Sequence, residues 1–439
     1  MTEWIEARPS PRLFGEAEVP GDKSISQRAA IFAALAEGTT ALEGYQEGED
    51  AQSTLRALEA LGAGVRRGPG GVEVTGVGLR GFRDPEGVLD LGNSGTGVRL
   101  LLGALAGQDV FAALTGDASL SRRPMGRVVE PLRRMGARID GRDGGRLLPL
   151  CVRGGGLKGM VHRIPVASAQ VKSALLLAGL GAEGVTRVEE PAPSRDHTER
   201  MLPHFGVEVR YGPGWAEVEG PVKLRSPGAF RIAKDPSSAA FPIVAAVLAR
   251  EGDVVCRGVS VNPTRLGWVE ALRAMGAEVE VTAAEEHGDP VGEIRARSSE
   301  LVGVTIGGEL IPRLIDEIPV LCVAAAKANG RTVIKDAAEL RVKETDRLRA
   351  IRAEWAKLGL VVEELPDGLV IEGPQRIRGG RCTSYGDHRI AMALAVAGIV
   401  AEEPVVIEDA GCVRVSFPGF EAAMRALGAD IRLVGAAGE

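Results

Sequence analysis

The chain has 439 residues, 45% apolar and 26% charged, and 53 Lys plus Arg set against 59 Asp plus Glu give a net charge of −6. That length points to two or three domains whose cores need no disulfide or metal staple, and the composition rules out a chiefly disordered chain. The acidic balance and a 4% aromatic content argue against a nucleic-acid coat or a base-stacking platform, but not against a local cationic pocket.

Cys151, Cys256, Cys322, Cys382 and Cys412 are too scattered for a CxxC pair and read as reduced thiols. The five histidines show no zinc-binding spacing. The opening MTEWIEARPSPRLFG lacks the apolar run of a signal peptide, and no apolar stretch reaches the length of a membrane span.

Along the chain one phrase recurs six times: a helical run ending in Gly, then an alternating strand. The glycines are Gly62, Gly136, Gly206, Gly276, Gly359 and Gly428, at intervals of 74, 70, 70, 83 and 69 residues. Each stands where a helix C-cap takes a left-handed residue. Units of about 70 residues exceed the ~20–45 of thin solenoids, so two compact domains of three units each are the natural partition. A cleft between two such domains is the default place for a ligand.

In chain order, PGDKSISQRAAIFAALAEG starts a helix that Ser24 or Ser26 can cap, with Lys23, Ser24 and Arg28 placed for an anion. The spaced glycines of a Walker A loop are absent. LGNSGTGVRLLLGALAG repeats the logic: Asn93, Ser94, Gly95, Thr96 and Gly97 precede an apolar helix carrying Arg99. It lacks the final Gly of a dinucleotide fingerprint. In SLSRRPMG, Arg122 and Arg123 stand before Pro124, a residue suited to the first turn of a helix. Three further polar starts lead into helices expected to be nearly pure apolar. They are Ser168, Ala169 and Gln170; Ser194 to Thr198 with Arg195; and Lys234, Ser237 and Ser238. Capping explains each as well as ligand binding does.

Asp316 and Glu317 directly precede another apolar helix, as a helix cap or a general base would. In ELRVKETDRLRAI, a continuous helix would put Lys343 and Arg347 on one face and Glu344 three residues from Arg347. Like charges at that spacing repel by ~0.2–0.5 kcal/mol unless something anionic lies between them. Asp387, His388 and Arg389 open a last apolar helix. Cations recurring at helix starts in a net-acidic chain point to small, multiply anionic ligands in a focused pocket.

The phrases PGDKSISQRA, LGNSGTGVRL, SLSRRPMG, SAQVKSALL, SRDHTE, LIDEIP, LRVKETDRL, DHRIAMAL and SFPGF run in order from Pro20 to Phe420. In this ordered set the chain resembles the 5-enolpyruvylshikimate-3-phosphate synthase family. The resemblance implies an α/β (α+β) fold of two domains, each of three βαβαββ units, with the active site in the interdomain cleft. One domain would comprise residues 1–20 with 235–439, the other residues 21–234. The implied reaction transfers the enolpyruvyl group of phosphoenolpyruvate to the 5-hydroxyl of shikimate 3-phosphate by addition and elimination, releasing phosphate. It serves chorismate and aromatic amino acid biosynthesis.

By the same matching, Asp316, Glu344 and Lys23 would be catalytic. Shikimate 3-phosphate would be held by Lys23, Ser24, Arg28, Ser168, Ala169, Gln170, Arg195, Asp316 and Lys343. Phosphoenolpyruvate would be held by Lys23, Asn93, Gly95, Thr96, Arg123, Gln170, Arg347 and Arg389. The resemblance implies no metal or organic cofactor, no nucleic-acid or membrane partner, a monomer in the cytoplasm, and competition between glyphosate and phosphoenolpyruvate. Departures are Gln27, Ala169, Glu339 and Val415, the last where some members carry a substrate-binding Lys. The nearest rival is the sister enzyme acting on UDP-N-acetylglucosamine. Many of its members use a loop cysteine that the stretch from Thr115 to Met125 lacks. A catalytically silent anion-binding homologue is the rival from another class.

Overall fold

The computed structural model describes residues 3–286 and 288–435. The chain divides into two units: Met1–Pro20 with Lys234–Glu286 and Pro290–Glu439, and Gly21–Ala233 with the turn at 288–289. Lys234 falls in the first unit because its backbone bridges Val259 and its ammonium pairs with Glu18 at 2.6 Å. Asp289 falls in the second, 2% exposed and 3.5 Å from His197.

Among the described residues each unit contains three sheets, and all six follow one plan. A strand pairs in parallel with a second, which pairs antiparallel with a third, which pairs antiparallel with a fourth. Thus Leu89–Asp90 lies parallel to Phe111–Thr115, followed across the sheet by Leu147–Arg153 and Arg138–Gly141. In the first unit Arg12–Glu16 lies parallel to Glu251–Ser260, followed by Pro290–Arg297 and Val279–Glu286. Three sheets take in sequence-distant strands, that of Arg12–Glu16 and two more. Leu224–Arg225 and Ala229–Arg231 complete the sheet of Ala36–Glu43, and Trp4–Arg8 enters between Val405–Glu408 and Asp430–Val434.

In each parallel pair one strand is entered directly from a buried helix. The helices are Lys23–Leu35, Gly95–Ala106 and Ala169–Gly181 in the second unit. In the first unit they are Pro236–Leu248, Ile318–Lys327 and His388–Ile399. Beyond their first two turns they are apolar nearly all round, as helices walled in on every side must be; every residue of Gly95–Ala106 and of His388–Ile399 is buried. Gly103 and Ala174 show how closely two of them approach: a Cβ on Gly103 would overlap the Ala174 backbone.

The six repeat glycines all have positive φ, from 78° at Gly206 to 117° at Gly136, so each ends its helix in the left-handed region. The third copy departs from the phrase. Its helix is only His197–Met201, continued as a 3-10 turn Leu202–Phe205, and its strand starts at Arg210. The expected apolar helix after Ser194 is therefore absent: four of the five residues HTERM are polar, and His197, Glu199 and Arg200 each pair with a charged partner.

Candidate active site

Helix caps decide where the polar side chains stand, and several differ from expectation. Asp22, not Ser24 or Ser26, caps Lys23–Leu35: its carboxylate accepts from the Ile25 N–H at 2.8 Å. Asp22 is itself extended and the helix starts at Lys23, so Asp22 occupies the capping position and the serines fall inside the first turn. Ser26 instead accepts from the Gln46 N–H at 3.1 Å. Asp235 caps Pro236–Leu248, because Pro236 takes the first helical position. Pro124 lies outside its helix, which begins at Gly126. ELRVKETDR is not one helix. A 3-10 turn covers Ala338–Val342, Lys343 is extended, and Asp346 caps a helix from Arg347 to Lys357. Arg341 holds the turn out of helical geometry by donating to the Leu365 and Pro366 carbonyls.

In the second unit the first turns of three buried helices are stitched together. Gln27, fully buried, donates to the Asp50 carbonyl at 2.8 Å, to Thr54 at 3.0 Å and to Ser94, the cap of the Gly95–Ala106 helix. Arg99 reaches Gln170 at 2.7 Å, and Gln170 donates onward to Thr96 at 3.0 Å. Ser168 caps the helix that begins with Ala169 and Gln170. Arg28, 2% exposed, donates to Thr198 and to Ser173, each at 2.9 Å, and to the Ser24 carbonyl at 3.0 Å.

Lys23 lies half-buried with its ammonium 2.8 Å from Asp50. Arg123, 6% exposed, donates to Asn93, which in turn donates to Asp117 at 2.7 Å. Gly95 makes room for two guanidiniums: a Cβ there would stand 2.9 Å from Arg99 Nη1 and 3.0 Å from Arg123 Nη1. Arg195 is half-buried in the loop before His197–Met201. Aligned helix N-termini with basic side chains around them attract anions.

The first unit repeats the arrangement with carboxylates added. Ser237 donates to Glu317, which precedes Ile318–Lys327, and Arg265 bonds both Asp235 at 3.0 Å and Ser237 at 2.9 Å. Asp316 is the hub. Its Oδ1 lies 3.3 Å from Lys343 Nζ and 3.4 Å from Arg347 Nη1, and its backbone carbonyl accepts from Arg389 at 3.3 Å. Arg347 also pairs with Glu344 at 2.7 Å and forks onto Asp387 at 2.8 and 3.1 Å. Burial alone would lower the pKa of Arg347, but Asp387, Glu344 and Asp316 outweigh it and raise it, so the guanidinium is permanently charged. The repulsion expected between Lys343 and Arg347 is thus cancelled from within the chain, by Asp316.

The expected site residues form two sets, one in each unit. Lys23, Ser24, Arg28, Asn93, Gly95, Thr96, Arg123, Ser168, Ala169, Gln170 and Arg195 belong to the second unit. Asp316, Lys343, Glu344, Arg347 and Arg389 belong to the first. Sequence reading missed Asp50, in the first turn of a helix that Gly48 caps, and Arg265, in a 3-10 turn that Asn262 caps; the glycine and the Asn-Pro pair were the signals that could have found them. It noted Arg99 in its apolar helix but gave it no place in the site. Among the described residues no group of three or more His, Cys, Asp or Glu is arranged to hold a metal ion.

A sequence profile of the family described as EPSP synthase (3-phosphoshikimate 1-carboxyvinyltransferase) matches residues 7–424. The chain is 53% identical over 431 residues to the 3-phosphoshikimate 1-carboxyvinyltransferase of Desulforudis audaxviator, covering 96% of this chain and 99% of that one. It is 54% identical over 424 residues to the enzyme of the same name from Gloeobacter violaceus, covering 96% and 98%. The solved EPSP synthase of Acinetobacter baumannii superposes with a TM-score of 0.87 at 41% identity, over 99% of this chain and all of that one. The chain belongs to the EPSP synthase (3-phosphoshikimate 1-carboxyvinyltransferase) family.

Proposed function

We propose that the two sets of residues act on one substrate pair, transferring the enolpyruvyl group of phosphoenolpyruvate to the 5-hydroxyl of shikimate 3-phosphate with release of phosphate. Two phosphates and two carboxylates must be held, and cations at buried helix starts suit that demand. Lys23, Ser24, Arg28, Ser168, Ala169, Gln170, Arg195, Asp316 and Lys343 take shikimate 3-phosphate. Lys23, Asn93, Gly95, Thr96, Arg123, Gln170, Arg347 and Arg389 take phosphoenolpyruvate. Arg347 is locked by its fork onto Asp387, and its Nη1, held only at 3.4 Å by Asp316, is the nitrogen on which a substrate carboxylate most readily takes the place of Asp316 as acceptor.

The hydroxyl must lose a proton as it attacks C2 of phosphoenolpyruvate, and the methylene carbon must gain one. Asp316 takes the first proton. Glu344 and Lys23 deliver the second and recover it when phosphate leaves. The observation that carries this reading is Asp316 itself, a half-buried carboxylate ringed by Lys343, Arg347 and Arg389. The chain works as a monomer in the cytoplasm. All five cysteines are free thiols, as a reducing compartment keeps them, and no described helix is long and apolar enough to cross a membrane.

The test is phosphate release from phosphoenolpyruvate with and without shikimate 3-phosphate, in buffer containing a chelator. Release that needs shikimate 3-phosphate and ignores the chelator is expected. No release with both ligands bound would mark a silent homologue. If neither ligand bound, UDP-N-acetylglucosamine would be the acceptor to try. Glyphosate inhibition is expected to fall as phosphoenolpyruvate rises; inhibition indifferent to phosphoenolpyruvate would count against competition.

A further inference from the structure

Behind the Ser168–Gln170 helix start lies a buried ion cluster that the reaction scheme leaves unused. Lys172 is 4% exposed, with Nζ 2.7 Å from Glu190 and 2.8 Å from Glu199. The two carboxylates are themselves buried, their side chains 0% and 2% exposed. Burial alone would lower the lysine pKa, but Glu199 and Glu190 outweigh it and raise it, so the ammonium persists.

Three segments meet at this one cation. Lys172 stands one turn into the helix that Ser168 caps. Glu190 opens the loop that carries Arg195, and its second oxygen accepts from the Ser168 N–H at 3.2 Å. Glu199 lies in the helix that follows Arg195. Beside the cluster, Ser173 and Thr198 bond each other at 2.7 Å and both accept from Arg28. Replacing a buried ion triad by apolar residues of similar volume is often neutral or stabilising, so a stabilising role is not a sufficient explanation for this one.

We propose that Lys172, acting with Glu190, is a positioning residue for shikimate 3-phosphate: it sets the Ser168 backbone and the Arg195 loop in register with Arg28. This rests on the function given above. The test is steady-state kinetics with each substrate varied in turn, alongside thermal unfolding. Glu190→Gln removes one charge and keeps the shape. Lys172→Met combined with Glu190→Gln and Glu199→Gln removes the tie and leaves no unpaired buried charge, so it folds where Lys172→Met alone fails. The triple variant is expected to raise the KM for shikimate 3-phosphate about tenfold, with the KM for phosphoenolpyruvate and kcat within about twofold. Lys172→Arg is expected to stay near wild type. A folded triple variant with unchanged KM for shikimate 3-phosphate overturns the proposal, as do equal rises in both KM values. A wild-type chain without shikimate 3-phosphate-dependent release would instead overturn the function itself.

Discussion

Asp316 and Glu344 both pair with Arg347, so their amides preserve shape while removing charge. Asp316→Asn and Glu344→Gln are each expected to lower kcat about a hundredfold or more with small changes in KM, because general acid–base groups act in the transition state. Wild-type turnover in either variant would remove that residue from the mechanism. His162 offers a prediction about stability. It is fully buried in the strand Val161–Arg163, and neither ring nitrogen has a hydrogen-bond partner. Burial, with Arg134 nearby, lowers its pKa from 6.5 to about 4. The folded state therefore holds His162 neutral while the unfolded chain binds a proton below about 6.5. Stability is full above that pH and is lost as pH falls toward 4, by roughly 3 kcal/mol in all. His162→Leu should flatten this part of the acid limb; thermal midpoints between pH 7.5 and pH 4.5 that fall as steeply as in wild type would exclude His162 as the cause.

At the scale of elements, each unit is organised by three buried helices whose polar ends are stitched together while their bodies pack closely. The pair Gly95–Ala106 and Ala169–Gly181 meets at Gly103 against the Ala174 backbone, a contact that leaves no room for a side chain. Gly103→Val is expected to cost ~1–3 kcal/mol by overpacking, read as a lower denaturant midpoint. It should also disturb substrate binding, because Arg99 and Gln170 sit one turn from that crossing on the two helices. A Gly103→Val protein with the wild-type midpoint would show that the helices can separate freely. The helices and their terminal glycines were legible in the sequence because apolar runs and left-handed caps are local properties. The caps at Asp22 and Asp235 were read two to four residues late, because Ser and Asp compete equally for that role and only the path of the incoming chain decides between them. The break at Lys343 was illegible for the same kind of reason: Arg341 is held by the carbonyls of Leu365 and Pro366, more than twenty residues away.

At the scale of the whole molecule, a net charge of −6 coexists with cations gathered at the starts of buried helices. Substrate attraction is then local and screened by salt. Raising monovalent salt from about 20 to about 200 mM should raise the KM for both substrates several-fold while leaving the thermal midpoint nearly unchanged. KM values indifferent to salt would mean that hydrogen-bond geometry, not charge, dominates binding. The sequence by itself determined the six-fold repeat, the mixed α/β class, the absence of a disulfide framework, and the cationic helix starts with their family resemblance. Each of these is written in local order, as a period, a cap or a phrase. Tertiary structure alone decided the partners: Asp50 for Lys23, Asp316 between Lys343 and Arg347, Asp387 behind Arg347, and Glu190 with Glu199 around Lys172. These pairs join residues from 18 to 40 positions apart, brought within a few ångströms by burial of the helices between them. No local pattern encodes that distance.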